Sequence, residues 1–186
     1  LIPFLSIGQA GEGLLFLYSA HEYVKDGDHI AFVLPRNLLS GISWFLARSL
    51  LASMYQIEYA VVSMDPSAGY NFSESTSLSE TLLVARRKQE HDDGEKTCVV
   101  CLLKKPTTAM EATQVAHEIA ASYGSKAEKM DVFKHGYTQH NIIGSGIVAY
   151  TLPRKILLEN IDNWGKLISF TDPWLTLQAL KLIEGE

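Results

Sequence analysis

The chain has 186 residues, 47% of them hydrophobic and 20% charged, with a formal net charge of −5. That length and balance fit one globular core with room for a small extension, and exclude a disordered or fibrous chain. Sixteen Lys and Arg against 21 Asp and Glu count against an autonomous nucleic-acid-binding module, which is usually basic. No apolar run reaches the ~18 residues needed to span a bilayer, and the longest candidate, Ile42 to Met54, is interrupted by Arg48. Two cysteines suit a reducing, cytoplasmic setting. The opening Leu1-Ile2-Pro3-Phe4, without Met or a charged leader, reads as a piece of a longer protein.

Leu14, Leu15, Leu17, Tyr18, His21 and Val24 space as a helix over residues 12–24, ended by Asp26-Gly27-Asp28. His29 to Leu34 is short and nearly all apolar, which predicts a strand buried on both faces and stopped by Pro35. A helix from about Leu38 to Met54 follows, capped by Asn37 or Ser40, and then a second buried strand from Ile57 to Met64. Helix, strand, helix, strand is the repeat of an α/β sheet with parallel strands and covering helices. Asp65 to Ser79 is a long polar loop, and long loops in compact domains are often functional.

Thr81 to Arg87 and Thr97 to Leu103 flank the acidic turn at residues 91–95, a spacing that predicts an antiparallel hairpin. Thr108-x-x-Glu111 opens a helix to about Tyr123, stopped by Gly124. From about Lys134 the periodicity loosens, with a short strand at Ile147 to Leu152. Asp172-Pro173 then caps a last helix to Leu182. A boundary near residue 135 separates 1–135 from 136–186.

Several chemistries find little support. Cys98-Val99-Val100-Cys101 matches a C-x-x-C motif, but residues three apart on a strand face opposite ways, so buried small hydrophobes are the better account. His117, His135 and His140 match no metal spacing, and no metal site is expected. Asp92-Asp93-Gly94-Glu95 lacks the alternating ligands of a calcium loop. Ser73, Ser75, Thr76 and Ser79 have no His–Asp arrangement beside them. Gly8-Gln9-Ala10-Gly11-Glu12-Gly13 follows no strand, so a loose helix entry accounts for it better than a phosphate loop. Arg36, Arg86, Arg87 and Lys88 are the basic candidates, and Trp164 and Trp174 are expected to anchor the C-terminal segment by burial.

One resemblance emerges from Ile30-Ala31-Phe32-Val33-Leu34-Pro35-Arg36-Asn37-Leu38-Leu39-Ser40-Gly41, read with Asn71-Phe72-Ser73-Glu74-Ser75-Thr76 and Glu80-Thr81-Leu82-Leu83-Val84-Ala85-Arg86-Arg87. Together these resemble the second half of an adenine-specific DNA methyltransferase domain of restriction–modification systems. The family's order is a helix, a strand ending in Leu-Pro, a helix, a strand, an aromatic-bearing loop and a final antiparallel strand. Residues 12–87 follow it, with Gly27 in the turn and Val33-Leu34-Pro35 at the strand end. The likeness covers roughly the first 105 residues and rests on short motifs in the right order.

The resemblance implies a partial doubly wound, Rossmann-like sheet of parallel strands plus a C-terminal antiparallel hairpin, binding S-adenosylmethionine at the strand ends. It implies methyl transfer to an adenine amino group, with the base flipped out of the duplex. Phe72 matches the family's base-stacking aromatic; the plainer alternative is that it plugs the loop into the core. Arg36, Asn71, Ser73 and Ser75 are then candidate DNA contacts, the hydroxyls and Arg36 through backbone phosphates. Asn163-Trp164-Gly165-Lys166-Leu167 resembles the connector into a target-recognition region, so residues 136–186 would begin that region. DNA is the implied partner, with a specificity or restriction subunit as a further candidate.

The chain departs from the family pattern where catalysis resides. It has no Pro-Pro pair and no acidic-x-Phe-x-Gly-x-Gly strand end, so these residues alone are expected neither to bind the donor tightly nor to methylate. The competing reading is a non-catalytic α/β interaction or scaffold module of a DNA-modification complex. RNA or protein glutamine as methyl acceptor also stays open. The methyltransferase reading requires that Phe32, Val33 and Leu34 run through the middle of a twisted sheet, and that the Phe72 segment fold over the rim where they finish.

Overall fold

The structure is a computed structural model that describes residues 7–89, 96–124, 138–142 and 146–168. Helix α1 (Ile7–Tyr23) leads into β1 (His29–Pro35), followed by α2 (Phe45–Met54) and β2 (Tyr55–Ser63). Then come β3 (Glu80–Arg87), β4 (Lys96–Leu102), α3 (Ala109–Gly124), β5 (Thr138–Ile142) and β6 (Ile147–Pro153). Two short helices, α4 (Arg154–Glu159) and α5 (Gly165–Ile168), close the described chain. The class is α/β, built on one mixed sheet in the order β1-β3-β2-β4-β6-β5.

Most pairs in this sheet are antiparallel. Only β2 and β4 pair in parallel among the described strands; β3 runs antiparallel between β1 and β2, and β6 antiparallel between β4 and β5. The hairpin expected from Thr81–Arg87 and Thr97–Leu103 is therefore not formed, because β2 lies between the two strands. Alternating apolar residues specify that a strand has an inner and an outer face, but not which strand it pairs with. Here β1 and β2 point the same way and β3 satisfies the backbone of both, from Pro35–Glu80 at one end to His29–Arg86 at the other. The acidic turn at 91–95 lies outside the described residues, as do the boundary near 135, His135, Trp174 and the expected helix after Asp172.

The two sheet faces pack differently. Leu34, Ala60, Val62, Leu83, Val99 and Tyr150 point into a core closed by α1, α2, α4 and α5. The other face carries a smaller cluster of Cys98, Val100, Leu102, Ile147 and Ala149, met by Ile119 of α3. Cys98 and Cys101 thus lie buried on opposite faces, and burial pushes the Cys101 thiol up to about 12 although Arg36 nearby pulls it down. Among the described strands β1 lies at the edge of the sheet and not in its middle as expected, and it is covered on one face only, contrary to the expectation of burial on both. Ile30 and Leu34 are buried while Ala31 and Val33 are exposed, because α3, the long helix on their side of the sheet, packs over β4 and β6 and leaves β1 uncovered.

The helix expected from Leu38 begins later. Residues Arg36–Leu39 and Ile42–Trp44 form two 3-10 turns, and α2 starts at Phe45 without a side-chain cap from Asn37 or Ser40. Gly41 falls between those turns, and their carbonyls are taken by a side chain from further along. Arg48, only 1% exposed, donates Nη1 to the oxygens of Leu38 (2.8 Å) and Gly41 (2.9 Å). Its Nε and Nη2 reach the oxygens of Ile161 (2.7 Å) and Asp162 (2.8 Å). One buried cation thereby joins the turn after β1 to the loop between α4 and α5. Desolvation lowers the pKa of this guanidinium, with the Asp162 charge acting the other way.

Other local expectations can be placed directly. Gly8 to Gly13 lies inside α1, and Gly13 lets the helix approach closely, since a Cβ there would meet Trp44 at 3.2 Å and Leu34 at 3.3 Å. Thr108 Oγ1 accepts the Glu111 N–H at 3.2 Å, while the Glu111 carboxylate accepts the Thr107 N–H at 2.7 Å, a capping arrangement at the start of α3. Trp164 is fully buried and donates its indole N–H to Leu157 O at 2.8 Å. Tyr150 donates its hydroxyl to Leu167 O. Residues 147–168 are thus bound into the same core as 14–102. Among the described residues, no helix is long and apolar enough to cross a membrane.

Candidate functional site

Strands β1, β2 and β4 all finish at one end of the sheet, where β3 begins. Open α/β sheets gather ligands at the carboxyl ends of parallel strands, and here that rim carries the turn after Pro35, the loop 64–79 and residues 103–108. The Phe72 segment folds over this rim. Pro35 is opposite Glu80 in the β1–β3 register, Arg36 N–H bonds Ser79 O at 2.8 Å, and Glu80 N–H bonds Tyr70 O at 2.9 Å.

The loop is held by charge. Asp65, 4% exposed, closes its first turn: Oδ1 accepts the Ser67 hydroxyl at 2.6 Å, the Ser67 N–H at 2.8 Å and the Ala68 N–H at 3.1 Å. Its Oδ2 accepts the Lys105 N–H at 2.9 Å, joining the loop to the end of β4. The Ser67 hydroxyl first, then the Lys105 and Ser67 N–H groups, hold this carboxyl far below the ordinary carboxylate range. Further along, Glu80 Oε2 accepts the N–H groups of Phe72 and Ser73, each at 2.7 Å. Desolvation pushes the Glu80 carboxyl up, but those N–H groups, the Ser73 hydroxyl and the Lys105 charge outweigh it and leave the pKa lowered. Lys105 Nζ donates to Asn71 O at 2.7 Å.

Phe72 is half-buried. Its ring packs beside the smaller cluster and lines an apolar groove of about 430 Å³ with Tyr59, Val61, Leu82, Val84 and Ile119. The other sequence candidates stand on the same rim, in its loop or in the turn after β1. Arg36 stands on the rim, with Nη2 3.5 Å from Met64 Sδ. Asn71 bonds within the loop, donating Nδ2 to Ser73 O at 2.7 Å. Ser73 and Ser75 are exposed on the loop, Ser75 in the left-handed region at φ 59°, a conformation that non-glycine residues seldom hold.

Arg86, Arg87 and Lys88 sit at the opposite end of β3. Arg86 Nε lies 3.3 Å from Glu58 Oε1. Arg87 Nη1 takes the oxygens of His21 (2.8 Å) and Val24 (2.7 Å), and Lys88 Nζ those of Ala52 (3.2 Å) and Ser53 (2.7 Å). They complete the carboxyl ends of α1 and α2, as cations commonly do.

Sequence reading missed Asp65, Glu80 and Lys105, the three charges that shape the rim. Asp65-Pro66-Ser67 carries a legible turn signal, since an Asp side chain bonds backbone two residues on. Glu80 and Lys105 carry none, because their partners are 8 and 34 residues away. Among the described residues, no three His, Cys, Asp or Glu side chains come together as a metal site.

Known proteins offer a likeness of architecture. No protein-family model matches the chain, and no curated protein matches it. It is similar to the crystal structure of the type IIG restriction endonuclease BpuSI, with a TM-score of 0.56 and 20% identity over 87% of this chain. It is also similar to a chain of a type I R-M system, solved to explain that system's assembly and conformational transition. There the TM-score is 0.50, with 15% identity over 92% of this chain. This chain spans 16% of the first protein's chain and 36% of the second's. At such identities the likeness is one of fold.

Proposed function

We propose that this chain is part of an S-adenosylmethionine-dependent DNA adenine-N6 methyltransferase of a restriction–modification system, and that Phe72 offers a ring face to the flipped base. One observation carries the reading: the Phe72 segment is clamped onto the rim where β1 ends, with Glu80 paired to Pro35 and bonded to Phe72 N–H. Two further findings support it. Residues 7–87 run helix, strand ending in Leu-Pro, helix, strand, aromatic-bearing loop and antiparallel strand, the order that the sequence resemblance implies. Of the similar solved structures, one is by its name a type IIG restriction endonuclease and another belongs to a type I R-M system.

The donor is a separate matter, because the described residues do not fit S-adenosylmethionine. Asp65 and Glu80, the rim carboxylates, already accept backbone N–H groups, and the glycines at 8–13 belong to α1. On this reading donor binding and transfer belong to residues beyond this set. What the chain itself supplies is a half-buried aromatic, the exposed loop residues Ser73 (its hydroxyl bonded to Glu80) and Ser75, and the Arg36 cation on one rim.

Stacking on an aromatic is worth on the order of 1–3 kcal/mol per base. In the complete polypeptide, Phe72→Ala should therefore weaken binding to a duplex bearing an extrahelical adenine about tenfold. Unchanged affinity would remove Phe72 from the base pocket.

The apolar groove between α3 and the sheet favours a second reading, a non-catalytic module that docks a partner. A Pro-Pro-aromatic motif shortly upstream of Leu1 in the encoded polypeptide separates the two, since the enzyme needs it and the scaffold does not.

A further inference from the structure

Three consecutive residues, Asn71, Phe72 and Ser73, have their backbone held from two sides by ionised side chains. Glu80, the first residue of β3, takes the N–H groups of Phe72 and Ser73 on a single oxygen, both at 2.7 Å. Lys105, just past β4, takes the carbonyl of Asn71 at 2.7 Å. Hydrogen bonds to ionised partners are shorter and about twice as strong as neutral ones. The surroundings make such bonds consequential. Asp65 to Ser79 carries five Ser, one Thr and one Gly, so the place of residue 72 is set by these bonds together with the packing of its ring against the smaller cluster.

The register fixes the side on which Glu80 acts. On β3, Thr81 and Leu83 face the large core while Leu82 faces the groove, so Glu80 shares the groove side by strand alternation. Phe72 packs on that same side. The carboxylate and the ring therefore belong to one local unit, anchored in a strand with partners on both edges. A stacking platform works only when its plane is held to within a fraction of an ångström, and it is held best from a rigid element.

We infer that Glu80 is the positioning residue for Phe72: its carboxylate, through the Phe72 and Ser73 N–H groups, sets the ring where a flipped base can lie on it. The inference rests on the base-stacking reading given above. In this role Glu80 bonds the loop backbone and not the base. It acts through the backbone of its neighbour, so its removal should harm the same step as removal of the ring and no other.

The test is a double-mutant cycle in the complete polypeptide, using Phe72→Ala, Glu80→Ala and both together, with Glu80→Gln as the conservative arm. Binding is read on two duplexes, one with an extrahelical adenine and one fully paired, and thermal melting serves as the fold control. Glu80→Ala should weaken binding to the extrahelical adenine about tenfold. Glu80→Gln, which keeps an acceptor oxygen without the charge, should recover part of that loss. Affinity for paired DNA should change less than twofold in both, and the double variant should be no worse than Phe72→Ala alone.

Three outcomes overturn the inference. If Phe72→Ala weakens binding and Glu80→Ala does not, the stacking reading stands and the positioning role falls. If the two losses simply add, or if Glu80→Ala weakens both duplexes equally, Glu80 acts on something other than the ring. If Phe72→Ala has no effect, the stacking reading itself fails and Glu80 has nothing to position. Should Glu80→Ala fail to fold, the Glu80→Gln cycle decides by the same criteria.

Discussion

Neighbouring residues of β3 look out on the two faces of the sheet, and those faces are finished differently. Leu83 is buried against helices that close the large core, while Leu82 stands half-open beside the groove. The closed face joins distant parts of the chain, from Leu14 in α1 to Ile168 in α5. The open face has one long helix, α3, and of its residues Ala109 to Ala121 only Ile119 is buried. Stability belongs mainly to the first face. The rim loop and the groove belong to the second, where a surface can meet a partner without unfolding the core.

The strongest way to break this contrast is to remove the cation that ties the closed side together. Arg48→Met leaves four carbonyl oxygens without their donor, and should lower unfolding stability by roughly 3–5 kcal/mol. Denaturant titration reads this directly, and a loss below roughly 1 kcal/mol would mean that water replaces the guanidinium at little cost.

Paired truncations sharpen the contrast further. Leu83→Ala should cost roughly 2–5 kcal/mol, as for other fully buried leucines. Leu82→Ala, on the half-open side, should cost about 1 kcal/mol. Equal losses would show that the groove face is as well packed as the core.

The smallest expected effect is confined to acid. Asp65 has a folded pKa held below its unfolded value near 4. Its contribution is therefore complete above about pH 4 and disappears as pH falls towards the folded value. Asp65→Asn should be less stable than the parent at neutral pH, and the two stability profiles should converge as the solution is acidified below about pH 4. Parallel profiles across that range would mean that the carboxylate charge does nothing that an amide cannot.

Much of the local structure was legible before any coordinates. The apolar spacing of Leu14, Leu17 and Tyr18 marked α1, the run from His29 to Leu34 marked β1, and Thr108 with Glu111 marked the start of α3. Each depends on residues within a few positions of one another, which is the range over which helical and strand periodicity act. Cys98 and Cys101 were assigned to opposite faces by strand alternation alone, and they lie there.

The late start of α2 was not legible, because Arg48 takes the carbonyls before it and links them to residues 161–162. The strand β5 gave too weak a local pattern to find, since Thr138-Gln139-His140-Asn141-Ile142 is mostly polar. At the rim, Phe72 could be singled out by its place in the chain, but not the Glu80 and Lys105 side chains that hold its segment.

By itself the amino-acid order determined which segments are helices and strands, which sides of them are apolar, and that a polar loop bearing Phe72 follows the second strand. Only the tertiary structure decided that β3 enters between β1 and β2 instead of folding back on β4, and so brings Glu80 opposite Pro35. The reason is one of range. Periodicity reports how a segment meets its surroundings, whereas strand partners and long-range charge contacts depend on which unsatisfied edge or carbonyl the rest of the chain presents.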